Sequence, residues 1–461
     1  MADADSNLEA GQVTQGKSAH AAFQSVSSGR MALLFTVMLV TAAGNTAMQS
    51  VMPSIGTALE INDVWISLAY SWSALLWVIC APIWARRSDK RGRKSMMALG
   101  LVGFVVSMAL CGAVLWAGLS GWITAFWALM LFAAARSLYG GFGSAAPPAV
   151  QAYVASRTPR SERTQALSLI ASSFGLGTVI GPALAPLMVL PFLGMGLIGP
   201  FICFAALGFG ALILLRWRLP DDEPQFAARG QAYDAPYGSG SGGAPQDNEH
   251  HHDESGEVDV EPKRLSWFEP RLRPWVTAGL VGGHAQAMIL GISGFLVLDR
   301  LGLRDTPMDG AGPVGIVLMC GAIATLLAQW GLIPRFNLGP RAATLSGILV
   351  AAVGTAILGA ATDLHTIALG YAIASLGFGL FRPGTTAGTS LAVSRAEQGQ
   401  ASGVVASVAG ASFIYAPALG VWLYTISDWL GFGLIIVLCL TVAIFGWRGL
   451  QADSVLTTDR S

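Results

Sequence analysis

Charge is scarce in this sequence. Of its 461 residues only 12% are Asp, Glu, Lys or Arg, while 53% are hydrophobic. Soluble domains carry roughly 25% charged residues. At this length the shortage argues against one large soluble core and for an integral membrane protein. The 27 basic and 27 acidic residues cancel, so net charge gives no basis for a nucleic-acid partner. Cysteine is also sparse. Cys80, Cys111, Cys203, Cys320 and Cys439 all fall inside apolar runs, with neither metal-ligand spacing nor a disulfide framework. They read as packing residues. No Ser/His/Asp signature and no metal-spaced set lies in the apolar runs, so the expectation is no enzyme, no cofactor and no metal. No cleavable signal peptide is apparent. Residues 1–30 are polar, rich in Ala, Ser and Gln, and end at Arg30; they are expected to be a disordered tail. Acids are missing from one place above all: each of the 27 lies in a loop, a tail or at a helix end.

What is abundant is long apolar runs. A helix needs about 20 apolar residues to cross the hydrocarbon core. Twelve runs meet that need, near 31–56, 64–85, 95–116, 121–153, 165–190, 196–216, 274–298, 312–334, 342–361, 365–393, 399–425 and 429–447. The expected fold is an all-α membrane protein of twelve transmembrane helices, numbered here as spans 1 to 12. Glycine and proline inside the runs are compatible with this, because neighbouring helices re-satisfy the freed backbone groups.

The short loops carry the orientation. Those after even-numbered spans hold twelve Lys and Arg, six of them between Arg86 and Lys94; those after odd-numbered spans hold only Arg300 and Arg304. The positive-inside rule places the even loops and both termini in the cytoplasm of a cell inner (plasma) membrane. Asp63, Asp309, Asp363 and Asp428 then face the other side. Residues 217–273 have almost no aliphatic side chains and cannot bury enough apolar surface to fold. They are expected to be a disordered cytoplasmic linker between a half at 31–216 and a half at 274–448, with 449–461 a cytoplasmic tail. His250, His251, His252 and Asp253 in that linker form a polar run; metal chelation and plain solvation both remain open readings.

The two halves repeat. With Glu162 set on Glu397, Gln165 meets Gln400, Ala171 meets Ala406, Gly175 meets Gly410 and Pro182 meets Pro417. Just upstream, Gly141-Phe142-Gly143 matches Gly377-Phe378-Gly379, and Pro147 matches Pro383. Spans 4–5 thus correspond to spans 10–11. Two pseudo-symmetric six-helix halves are the internal symmetry typical of transporters.

Three motifs carry a family resemblance. The stretch after span 2 offers Ala85, Asp89, Lys90, Gly92, Arg93 and Lys94 against the pattern G-x-x-x-D-(R/K)-x-G-R-(R/K), with Ala85 replacing the first glycine. Span 4 carries Arg136, Gly140 and Gly141, and span 5 carries G-L-G-T-V-I-G-P from Gly175 to Pro182. The chain resembles the Major Facilitator Superfamily, most closely its drug:proton antiporters, over essentially all of 31–448. The second-half copy of the first motif is reduced to Arg335, Gly339 and Arg341. The resemblance implies that Asp89, with Lys90 and Arg93, latches the halves together through span 11 and that the span-5 motif marks an exporter. Physically, a carboxylate suits a helix N-terminus and Gly92 suits a sharp turn. Gly177, Gly181 and Pro182 either pack span 5 against the other half or pack it within its own.

Polar residues at mid-depth supply the remaining candidates. Arg136 and Arg382 lie fifteen and seventeen residues into their spans, near mid-membrane at about 1.5 Å per residue. Charges there are costly and by default functional. Arg136 either hydrogen-bonds polar groups such as Asn45 or Gln49, or joins Arg382 in attracting an anion. Pro383 suggests a helix break beside Arg382. Asn45 and Gln49 share a face at i, i+4. His284 and Gln286 sit at the equivalent depth of span 7, and these are the substrate-lining candidates. Histidine is the side-chain type whose charge changes near neutral pH, so His284 leads as proton carrier, ahead of Asp299 and Asp89. Trp72, Trp77 and Tyr415 are either aromatic walls or packing.

The expected function is export of a small drug-like or amphipathic molecule by proton antiport, with alternating access, from a monomer in the lipid bilayer. The alternative is export of an anionic metabolite such as a carboxylate siderophore or organic acid. Lesser alternatives are an importer and a non-transporting membrane sensor.

Overall fold

In the computed structural model the described residues are 26–158, 160–189, 196–220, 269–393 and 398–454. They form thirteen helices of eight residues or more: α1 Ser28–Ala58, α2 Asp63–Arg91, α3 Arg93–Leu119, α4 Ala125–Gly141, α5 Ala146–Arg157, α6 Arg160–Met188, α7 Gly199–Arg218, α8 Arg273–Arg300, α9 Pro307–Leu326, α10 Pro340–Ala360, α11 Leu364–Leu391, α12 Gln398–Ile426 and α13 Asp428–Gly449. Eleven segments are long and apolar enough to cross a membrane, α4 and α5 counting as one. In the remaining helix, α6, the apolar part is the shorter Ser172–Met188. These correspond one for one with the twelve runs. The chain is an all-α, multi-pass membrane protein. The expected tail at 1–30 lies outside the described residues up to position 25, and so does most of the expected linker, His250–His252 included.

Local chemistry explains the helix ends. Asn62 Oδ1 accepts the amide of Val64 at 3.0 Å to start α2, and Asp363 accepts those of His365 and Thr366 to start α11. Such caps satisfy amides that the helix itself leaves unpaired. Proline opens α7, α8, α9 and α10, where a missing N–H costs nothing. The charged stretch after span 2 is not a loop. Helix α2 runs to Arg91, and Gly92 alone, at φ 86°, separates it from α3. Lys and Arg are good helix formers and their charge suits a helix C-terminus, whereas the positive φ needs glycine.

Span 4 is divided. α4 ends at Gly141, a single 3-10 turn covers Gly143–Ala145, and Pro147 and Pro148 open α5. The break expected at Pro383 does not occur: α11 passes through that proline as one helix to Leu391. Two consecutive prolines and the Gly143 turn interrupt the first copy, whereas one proline in the second is absorbed. α9 instead relaxes into a π turn at Leu327–Leu332 before ending at Arg335.

Helix packing rests on small residues, since lipid removes most of the hydrophobic drive between spans. Gly347, Gly354, Gly370 and Gly377 let α10 and α11 touch backbone to backbone, at Gly377 O, Ala374 N, Leu358 N and Ala351 N. Gly177 and Gly181 do the same between α6 and α1. The halves meet where α2 packs on α12, through Val78 and Gly410, and where α6 packs on α9, through Pro182, Pro186 and Gly315.

Candidate functional site: two cavities and a clamp

The first half holds a buried cation. Arg136 on α4 is 0% exposed, and its Nη2 donates to Asn45 Oδ1 on α1 at 3.0 Å. The guanidinium lies over the rings of Tyr139 and Tyr70, 4.9 and 5.6 Å from their centroids. Aromatic faces and an amide oxygen replace the water that burial removes. Ser73 and Ser107 donate to the Arg136 and Ala135 carbonyls, fixing this turn of α4 against α2 and α3. Trp77 packs on Tyr139 at 5.2 Å, while Trp72 donates its Nε1–H to Ser137 at 2.8 Å.

Between the halves lies a cavity of about 590 Å³, counted to its mouth, walled by α1, α2, α8, α9 and α12. Gln49, Ser67, Tyr70 and Ser71 are its polar residues. The rest of the wall is apolar, including Met52, Phe295, Leu318 and Phe413, and no charged residue lines it. Tyr70 thus shows one face to Arg136 and lines the cavity as well.

A second cavity of about 500 Å³ lies inside the second half, between α8, α11 and α12. Gln286 and Arg382 line it with Thr385, Thr386 and Thr389. His284 lines neither cavity. Its Nδ1 lies 2.7 Å from the Leu280 carbonyl and its Nε2 2.6 Å from the Tyr415 hydroxyl. A carbonyl only accepts, so Nδ1 carries hydrogen and a neutral ring takes the Tyr415 proton at Nε2. Tyr415 is 52% exposed. The expected grouping of His284 with Gln286 is therefore absent: one residue faces α12 and the other the cavity.

The end opposite Arg86–Lys94, here the far face, is clamped by Arg304. From the loop after α8 it reaches Asp63 at the start of α2 through two bonds of 2.9 and 2.7 Å, and Thr57 on α1 at 3.0 Å. Its Nε also donates to Asp299 at 2.7 Å, and Asp299 accepts the Tyr424 hydroxyl at 2.7 Å. Burial works against the Arg304 cation, but the bonds to Asp63 and Asp299 outweigh it and raise its pKa above the usual arginine value. Gly310 against Ser54 and Gly294 against Pro53 close the halves behind this clamp. From sequence, Arg304 and Asp63 serve only to orient the chain, while Asp299 stands as a secondary proton-carrier candidate. The signal available was scarcity, since Arg300 and Arg304 are the only cations in the far loops.

Gly177 and Gly181 face Leu39, Ala42, Ala43 and Thr46 of α1, within their own half. Of the span-5 motif it is Gly175, facing Leu326 of α9, and Pro182, through its carbonyl beside Gly315, that meet the other half. Arg93 is buried at the start of α3. The side chains of Asp89 and Lys90 lie outside the described residues, as does any contact of theirs with span 11. Among the described residues no cluster of His, Cys, Asp or Glu could hold a metal.

With this geometry in place, likeness to known proteins is informative. A family model described as the Major Facilitator Superfamily matches residues 34–358. The chain is 27% identical over 154 residues to "Multidrug resistance protein MdtG" of Proteus mirabilis (strain HI4320), covering 32% of this chain and 35% of that protein. It is 27% identical over 202 residues to the "Staphyloferrin B transporter" of Staphylococcus aureus (strain NCTC 8325 / PS 47), covering 42% and 44%. The matched stretches thus span about a third to under half of these relatives. A solved bacterial homolog of the human lysosomal transporter Spinster, in an inward-facing state, aligns with a TM-score of 0.64 at 13% identity over 92% of this chain and 93% of that one. At that identity the likeness speaks for the fold.

Proposed function

Because this chain belongs to the Major Facilitator Superfamily, we propose that it exports a small drug-like or amphipathic organic molecule in exchange for protons. Family membership makes it a membrane transporter of small molecules, not an enzyme. The observation that carries the finer reading is the uncharged cavity walled by both halves, with the Arg304 clamp across its far face. A site at the interface of two rocking halves, sealed on one side, is what alternating access requires. Its apolar wall with a few hydroxyl and amide groups suits a drug-sized organic body. In this reading the Arg86–Lys94 end and both termini are cytoplasmic, the chain acts as a monomer in the inner membrane, and Asp89 latches the cytoplasmic end. The His284–Tyr415 pair is the proton carrier, because protonating Nε2 requires only that the Tyr415 hydroxyl turn from donor to acceptor.

The test is flux in proteoliposomes with an imposed pH gradient, across cationic dyes, neutral drugs and organic anions. At least one compound should move faster as the gradient steepens and stop when a protonophore collapses it. Flux indifferent to both pH and potential would remove the antiport claim. The second reading, an anionic substrate, is favoured by Arg382 in the second cavity.

A further inference from the structure

The cavity inside the second half is lined by one cation and no acid. Arg382 stands on its wall with Gln286, and neither Asp nor Glu is among its lining residues. Trp275 is on the same wall, 1% exposed, and its Nε1–H finds no acceptor among the described residues. An indole nitrogen can only donate, and a buried donor without an acceptor is unfavourable. The hydroxyls of Thr385 and Thr389 already donate to the carbonyls of Arg382 and Thr385, at 3.0 and 2.8 Å. What the wall offers a ligand is therefore the Arg382 guanidinium, the Gln286 amide, the Trp275 indole and the Thr386 hydroxyl. A guanidinium carries five N–H donors, enough to hold a protein partner and a ligand together. The remaining wall is apolar, with Phe381, Val405 and Val408. Phe413, 3% exposed, lines both this cavity and the uncharged one between the halves.

We infer that the transported compound is an amphipathic organic monoanion, a carboxylate or sulfonate on a flat apolar body. Its acid head is held by Arg382 and Trp275, and its body passes Phe413 into the cavity between the halves. One cation in an apolar surround fits one negative charge, and a charge-assisted bond is strongest where water is excluded. The acid head supplies an acceptor that Trp275 does not find among the described residues. The inference rests on the small-molecule transporter reading and adds a substrate class and the residues that select it.

The test compares naphthalene-2-carboxylate with the uncharged naphthalene-2-carboxamide, measured by equilibrium binding to the purified full chain in nanodiscs. The carboxylate should bind at least about ten-fold more tightly. Arg382→Gln should bring that ratio close to one, chiefly by weakening the carboxylate, with a much smaller loss for the amide. Trp275→Phe, which keeps a ring and removes the donor, should lower the ratio about three-fold. Equal affinities in the unaltered chain, or a ratio that survives Arg382→Gln, overturns the inference. Amide affinity reports the integrity of each variant; should Arg382→Gln lose it, the Trp275→Phe ratio decides. Counterflow of both compounds in proteoliposomes separates this inference from its premise. Selective binding with no flux of either compound refutes transport and leaves the acid site standing. Amide flux without carboxylate preference does the reverse.

Discussion

Arg136 shows how a mid-membrane charge becomes structural. Its amide partner and two aromatic faces all belong to the first half, so it ties α1, α2 and α4 together and is shut off from solvent. Of its two readings from sequence, the bond to Asn45 is the one the structure displays. A hydrogen bond to a charged group contributes about 1.5–3 kcal/mol. Asn45→Leu should therefore lower stability by about that amount, seen as an earlier thermal transition in detergent, with Asn45→Gln recovering part of it. An unchanged transition would show that the cation is held without the Asn45 bond. His284 lines neither cavity, and the reason was legible. His284 and Gln286 are two residues apart, and residues at i, i+2 do not share a helix face. Equal depth does not imply a common wall.

At the scale of elements, the twelve spans could be read in number and order, with ends displaced by up to six residues, because hydropathy and length are local properties. Breaks within spans could not, because a proline's effect depends on what surrounds it. The same holds for the acid that the second-half loop lacks. Asp453, after α13, receives the amides of Arg341 and Ala342 at 2.8 and 3.1 Å, at the start of α10. A carboxylate at a helix N-terminus is restored there by a residue 112 positions away from Arg341, a pairing that no local pattern reveals. The glycines of α6 are a further case: their spacing signals close packing but not which helix is packed against. A Cβ at Gly181 would run into the Ala43 carbonyl and the Thr46 hydroxyl of α1. Backbone cannot yield as a flexible side-chain tip does, so Gly181→Ala should push α6 from α1 and cost about 1–3 kcal/mol. Gly141→Ala, where an added Cβ meets nothing within 4 Å, should be neutral. Equal melting temperatures for the two variants would refute the close-contact argument.

At the scale of the whole molecule, the far-face clamp couples the halves. Arg304 belongs to the second half by sequence, yet its strongest partner, Asp63, belongs to the first. Arg300 is the natural comparison: it also bonds a carboxylate, Asp428 at 2.6 Å, and the Gly359 carbonyl at 3.2 Å. Both of its partners lie in its own half. If the clamp holds the far face shut, removing the cross-half pair should shift the population toward a state open on that side, whereas removing the within-half pair should not. Ser54, fully buried on α1 beside Gly310, reports that opening. With the native cysteines replaced by serine, Ser54→Cys should react slowly with an impermeant maleimide added at the far face. Adding Arg304→Gln should speed labelling by about ten-fold, the factor expected when a pair contributing about 1.4 kcal/mol to the closed state is lost. Adding Arg300→Gln should leave the rate within about two-fold, since its loss weakens one half without releasing it from the other. Equal acceleration by both substitutions would mean that the far face opens through loosening of the second half, and the clamp would then have no part in the transport cycle.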